Sequence, residues 1–162
     1  MPARIPRSLG WISELAPLSV DGRLGIPADV RKVTEWLASS RRVLLIAELV
    51  EPGLIRLFPR AAVLPQLEAT KQRLEQRADG GDALAVFFDR WRPVVYYPSN
   101  GSVLLGEIIA VFLLKDHEHT EAVFVEARGT FVGVMTLPTR NARLARLAAQ
   151  TFPAEPPEED GE

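Results

Sequence analysis

One pattern limits the fold of this chain more than any other: a short apolar run, a tight polar turn, a second apolar run, a helical stretch and a hairpin, written twice. Leu18-Ser19-Val20-Asp21-Gly22-Arg23-Leu24-Gly25-Ile26-Pro27 opens the first copy. Tyr97-Pro98-Ser99-Asn100-Gly101-Ser102-Val103-Leu104-Leu105-Gly106 opens the second, about 79 residues later. Asp-Gly and Asn-Gly are favoured in two-residue hairpins because both residues tolerate the positive φ of a type I′ turn, so each copy is expected to begin with such a hairpin.

The order of elements after the turn also repeats. In the first copy, residues 28–39 are a predicted helix with Pro27 at its opening turn and Val30, Val33 and Leu37 on one face. Predicted strands at 42–48 and 54–58 then flank Glu51-Pro52-Gly53. In the second copy, the helix is predicted at 107–114 and the strands at 122–127 and 131–136, around Arg128-Gly129-Thr130. A proline (Pro59, Pro138) follows each hairpin, then a helix bearing leucine and arginine, at 64–77 with Pro65 in its opening turn and at 139–150. Between the copies, Asp82 is the expected N-cap of a helix with Leu84, Phe87, Phe88 and Trp91 on one face, ended by Pro93. One copy alone could not bury both faces of its strands, whereas two packed on each other could. The fold class is therefore α+β: two tandem β-hairpin/helix/β-hairpin units forming a pseudo-dimeric small barrel, with helices after each unit. The expected divisions are 11–77, a connecting loop and helix at 78–93, a diverged second unit at 94–150, and an acidic tail at 151–162.

Charge divides along the same lines. The net charge of −2 includes five acidic and no basic groups in residues 151–162, which leaves 16 acids against 19 lysines and arginines in the body. That proline- and glutamate-rich tail has little to bury and is expected to be disordered. A weakly positive body can approach an anionic polymer where its arginines cluster. The absence of cysteine excludes disulfides and thiolate metal sites. The first residues lack a continuous apolar stretch of signal-peptide length, and the most apolar segments are too short or interrupted to span a bilayer, so a cytoplasmic protein without membrane contact is expected.

The stretch from Asp21 to Lys32 carries the chemistry. A turn ending in Gly22 projects Arg23 away from the strands, and Arg31 and Lys32 extend the positive surface along the following helix. A guanidinium can grip a phosphate, or the O6/N7 edge of guanine, through two parallel hydrogen bonds. The pattern Gly22-Arg23, Ile26-Pro27, Arg31-Lys32 resembles the AbrB-type (SpoVT-AbrB domain) DNA-binding regulators, and the two-unit layout resembles their MraZ branch. The resemblance covers roughly residues 11–150. It implies interleaved hairpins in a small barrel, and DNA contact through Ser19, Asp21, Gly22, Arg23, Arg31 and Lys32. It further implies transcriptional control of division and cell-wall genes from the cytoplasm or nucleoid. Assembly into a homo-oligomer on repeated short DNA boxes is also implied, with no cofactor and no catalysis.

Several positions depart from that pattern. Family units carry Asp, three residues, then Arg at the turn; here Ser19 stands in the aspartate position, and the second unit lacks both residues, with Ser102 in place of the arginine. Gly106 replaces Pro27, and Ala110 replaces Arg31. One protomer is therefore expected to bind DNA weakly, and strand 103–105 with the helix around Leu144 and Leu147 is the expected assembly surface. The competing reading is a protein-interaction or scaffold module that has lost DNA binding. It is favoured if Arg23, Arg31 and Lys32 are paired with carboxylates and disfavoured if they are free. An enzyme is a third reading, weakened by the absence of a nucleophile elbow or phosphate loop. His117 and His119 lack a nearby third ligand and read as a solvated loop.

Overall fold

Eight antiparallel strands close into a barrel in the computed structural model, which describes residues 12–38, 40–77, 79–114 and 121–152. The elements run β1 (Ile12–Leu18), β2 (Arg23–Gly25), α1 (Ala28–Val33), a short 3-10 turn (Glu35–Leu37), β3 (Val43–Glu51), β4 (Leu54–Pro59) and α2 (Arg60–Glu75). They continue with α3 (Gly80–Arg90), β5 (Trp91–Tyr97), β6 (Ser102–Leu104), α4 (Glu107–Leu113), β7 (Glu121–Ala127), β8 (Val132–Met135) and α5 (Leu137–Thr151). The chain is thus α+β, with five α-helices among the described residues. The histidine pair 117/119 and residues 153–162 lie outside the described residues.

Around the barrel the order is β1-β2-β6-β5-β3-β4-β8-β7, closing back on β1. Within each half the hairpins β1/β2, β3/β4, β5/β6 and β7/β8 pair locally, while β1/β7, β3/β5, β2/β6 and β4/β8 join the halves. The register has an approximate two-fold: Leu24 faces Val103, Arg23 faces Leu104, and Ser102 faces Gly25. Strand alternation sends Leu18, Leu24, Leu45, Ala47, Tyr96, Val103, Val123 and Val125 into one continuous core. Neither half holds a closed sheet alone, because every strand takes a hydrogen-bonded neighbour from the other half.

Local readings needed correction where tertiary contacts compete with pattern. No described non-glycine residue has positive φ, so Asp21 and Asn100 do not form type I′ turns. Instead Gly22 and Gly101 alone take φ of 82° and 65° in longer connections, the first closed by Ser19 N–H donating to Arg23 O at 2.9 Å. Gly53, with φ of 90° after Pro52, keeps the Pro-Gly turn that the sequence announces. The helix expected over 28–39 shortens to α1 plus the 3-10 turn. α2 starts earlier than expected, with Pro65 inside it. Asp79, not Asp82, stands at the N-cap of α3. Trp91 leaves the helical face and opens β5, where Pro93 pairs with Ile46 at a point that β6 does not reach.

Two glutamates occupy equivalent registers on the outer face and are both buried. Glu48 lies between Arg56 on β4 and Trp91 on β5; Glu126 lies between Gly133 on β8 and Ser13 on β1. Glu126, 2% exposed, accepts from Ser13 Oγ (3.1 Å), from Arg128 Nε and Nη2 (3.2 and 2.9 Å) and from Arg140 Nε on α5 (3.4 Å). Glu48 meets Arg56 and Arg90 at 3.6 Å each, which ties α3 to the barrel. Burying a carboxylate is costly unless it is paired in this way.

Candidate nucleic-acid interface

The first turn is braced by its own serine. Ser19 Oγ accepts from Arg23 N–H at 3.0 Å and donates to the Asp21 carboxylate, while the Ser19 carbonyl accepts from Gly22 N–H at 3.0 Å. Ser19 thus supplies the acceptor that an aspartate would supply at this position. The Ser19 hydroxyl also holds the Asp21 carboxyl below the usual range, with Arg23 acting in the same direction. Asp21 is therefore an ionised brace of the turn, in electrostatic opposition to any phosphate. Arg23 is exposed and, among the described residues, forms no ion pair.

Both turns meet at one end of the barrel, where they exchange hydrogen bonds. Ile26 N–H donates to Gly101 O and Leu105 N–H donates to Gly22 O, each at 2.8 Å. A groove of about 340 Å³ runs between them, lined by Pro17, Ser19, Arg23, Gly25, Asn100 and Ser102. Four of the six expected residues, Ser19, Asp21, Gly22 and Arg23, build this first turn. Arg31, on α1 as expected, packs its guanidinium on Gly101 of the second turn, where a Cβ would stand 3.0 Å from Cζ and Nη1. Its Nε is buried without a partner, and it forms no ion pair with a described carboxylate. Lys32 is exposed, 4.0 Å from Asp29, a separation at which a surface pair contributes little.

Asp29 has a second neighbour in Glu14 of β1. Burial, then a hydrogen bond to Asp29 and its charge, push the Glu14 carboxyl above the usual range. The sequence reading missed Asn100 and Gly101 as parts of the site. Their common signal was the Asn-Gly turn, but nothing local shows that Arg31 comes to rest on it.

The expected assembly strand 103–105 is corrected in part: Val103 is fully buried and Leu105 is 6% exposed, both entering the core, while Leu104 between them is 42% exposed. Leu144 and Leu147 of α5 are exposed as expected, and α4 adds exposed apolar surface at Ile108 (62%) and Val111 (52%). α5 turns arginines toward the barrel, where Arg140 meets Glu126 and Arg143 meets Glu51 at 3.6 Å, and leaves these leucines outward. Among the described residues no helix is long and apolar enough to cross a membrane, and no group of three or more potential ligands is placed to hold a metal ion.

No model of a known protein family matches the chain, and no curated protein is significantly similar to it.

Proposed function

We propose that this protein is a sequence-recognising DNA-binding regulator of the AbrB type, resembling the MraZ branch and acting without catalysis. The observation that carries the reading is the turn end of the barrel, where Arg23 lines an open groove and Arg31 reaches from α1 onto the neighbouring turn, neither in an ion pair with a described carboxylate. A guanidinium outside ion-pair distance of a carboxylate keeps its donors available for phosphate or guanine. The interleaving of the two halves supports the same reading, since it is the arrangement that the resemblance implies. Few basic groups per chain give attachment in the non-specific range of about 10⁻⁴–10⁻⁶ M, so specific binding calls for a homo-oligomer on repeated short boxes. Recovery of bound genomic DNA at physiological salt, followed by titration of the recovered sequence, tests this. Enrichment of repeated boxes supports it, and recovery no better than random fragments rejects it.

A second reading, a protein-interaction or scaffold module, is favoured by one observation: the exposed apolar edge of α4 beside a groove of about 820 Å³ lined by Pro52, Val111, Phe112 and Pro138. In that reading the barrel is the platform and the second half carries the function.

A further inference from the structure

The second turn reads as inert in sequence because Ser102 stands where Arg23 stands in the first. Its surroundings in the fold are not inert. Arg31, from the first half, lays its guanidinium directly on Gly101, where a Cβ would stand 3.0 Å from its Cζ and Nη1. Arg31 is partly exposed and has no described carboxylate within ion-pair distance. On the same turn, Ser102 donates to Asn100 Oδ1 through both its N–H (3.2 Å) and its Oγ (2.6 Å). That fixes the exposed Asn100 amide by its oxygen, and among the described residues its Nδ2 has no hydrogen-bond acceptor. A cation and an oriented amide donor thus share one solvent-facing turn, next to the groove that Arg23 lines.

We propose that Arg31 and Asn100 form a second anion-contact point that takes a phosphodiester oxygen, so that each chain offers two contacts at its turn end rather than one. The reason is the crossing of the halves. The first turn packs against the start of α4, and the second packs against α1 through Arg31. A turn therefore receives its helical basic group from the opposite half. The first turn keeps its own Arg23 and abuts Gly106 at the start of α4, while the second lost its arginine and receives Arg31. One guanidinium serves each turn.

This inference deepens the DNA-binding reading and rests on it for the identity of the ligand. Its test separates the two. The ¹⁵N-labelled full chain is titrated with inorganic tripolyphosphate, following the amides of Gly22 and Gly101 and the Nε–H of Arg31, and then with a duplex at several salt concentrations. Tripolyphosphate is expected to shift resonances at both turns. Arg31→Gln should abolish the Gly101 shift and spare that of Gly22, while Asn100→Ala should reduce it. With duplex, Arg31→Gln and Arg23→Ala should each lower the slope of log K against log salt by about 0.9. Thermal melting of each variant shows whether it is folded, and Arg31→Lys, which keeps the charge, should restore the slope if the contact is electrostatic. A shift confined to Gly22, a shift at neither turn, or an unchanged slope in folded Arg31→Gln overturns the second contact. Shifts at both turns without duplex binding support the anion site and reject the DNA reading.

Discussion

Helices α1 and α4 hold equivalent places in the two halves, yet their outer faces have nothing in common. Where α1 carries Asp29 and Lys32, α4 carries Ile108 and Val111, and the position of Arg31 on α1 is taken on α4 by the buried Ala110. The inner positions match in burial: Val30 on α1 and Ile109 on α4 are both core residues. Barrel closure explains the contrast. An inward residue on either helix must fill the space left by strands of both halves, so its size and polarity are constrained by packing. An outward residue meets only solvent or a partner. The halves are thus alike where the fold needs them alike, and they differ where each faces something else: charge on one side, apolar surface on the other.

The largest effect expected from testing this asymmetry is at the turn glycines. A Cβ on Gly22 would stand 2.6 Å from the Gly106 carbonyl carbon, which is backbone and cannot yield, at a φ of 82°. Gly22→Ala is expected to cost about 3 kcal/mol or more, from strain and collision together. A Cβ on Gly101 meets the movable end of Arg31, so Gly101→Ala should cost about 1–2 kcal/mol, chiefly from its positive φ. Chemical denaturation measures both, and equal losses would mean that the two turns are packed alike.

Binding comes next. Arg23→Ala should weaken duplex affinity by about tenfold or more at fixed salt, the equivalent of about 1–3 kcal/mol. Ser102→Ala at the matching position should have a much smaller effect, because that side chain is buried and acts only through Asn100. Equal effects in an anisotropy titration would remove the first turn from the interface.

A smaller change sharpens the contrast between the helices themselves. Ile108→Asp with Val111→Lys gives α4 the exposed charges of α1 and should alter stability by no more than about 0.5 kcal/mol per site. If the apolar edge mediates self-association, light scattering should show a lower mass. An unchanged mass would move the assembly surface to another place, such as the outward leucines of α5.

The smallest expected effect is on pH dependence beside α1. The Glu14 carboxyl is raised in the folded protein, so between its unfolded and folded pKa values the native state binds more protons than the unfolded one. Its contribution to stability therefore falls as pH rises through that window and recovers on acidification. Glu14→Gln should flatten this part of the melting-temperature profile and slightly stabilise the protein at neutral pH. A variant profile parallel to the parent would show that Glu14 and Asp29 do not interact.

Much of the barrel was legible before folding, because inward and outward positions on a strand alternate with period two and turn glycines mark where strands end. The runs around Ile46 and Val125, the Pro52-Gly53 turn and the inward face of α1 are all readable in that way. Trp91 was not, since its spacing from Leu84 and Phe87 fits a helix and only the sheet draws it into β5. Glu48 and Glu126 look like ordinary surface carboxylates until α3 and α5 close over them with arginines.

By itself the sequence determined that two similar sets of strands and helices exist, that Gly22 and Gly101 turn the chain, and that Arg23 follows the first turn. Tertiary structure decided that Arg31 belongs to the other half's turn and that Val103 and Leu105 are core rather than surface. The physical reason is that alternation along a strand fixes which face a side chain takes, but not which strand lies beside it. Neighbours are chosen by hydrogen-bond pairing between distant segments when the barrel closes, and only that choice brings a helix of one half onto a turn of the other.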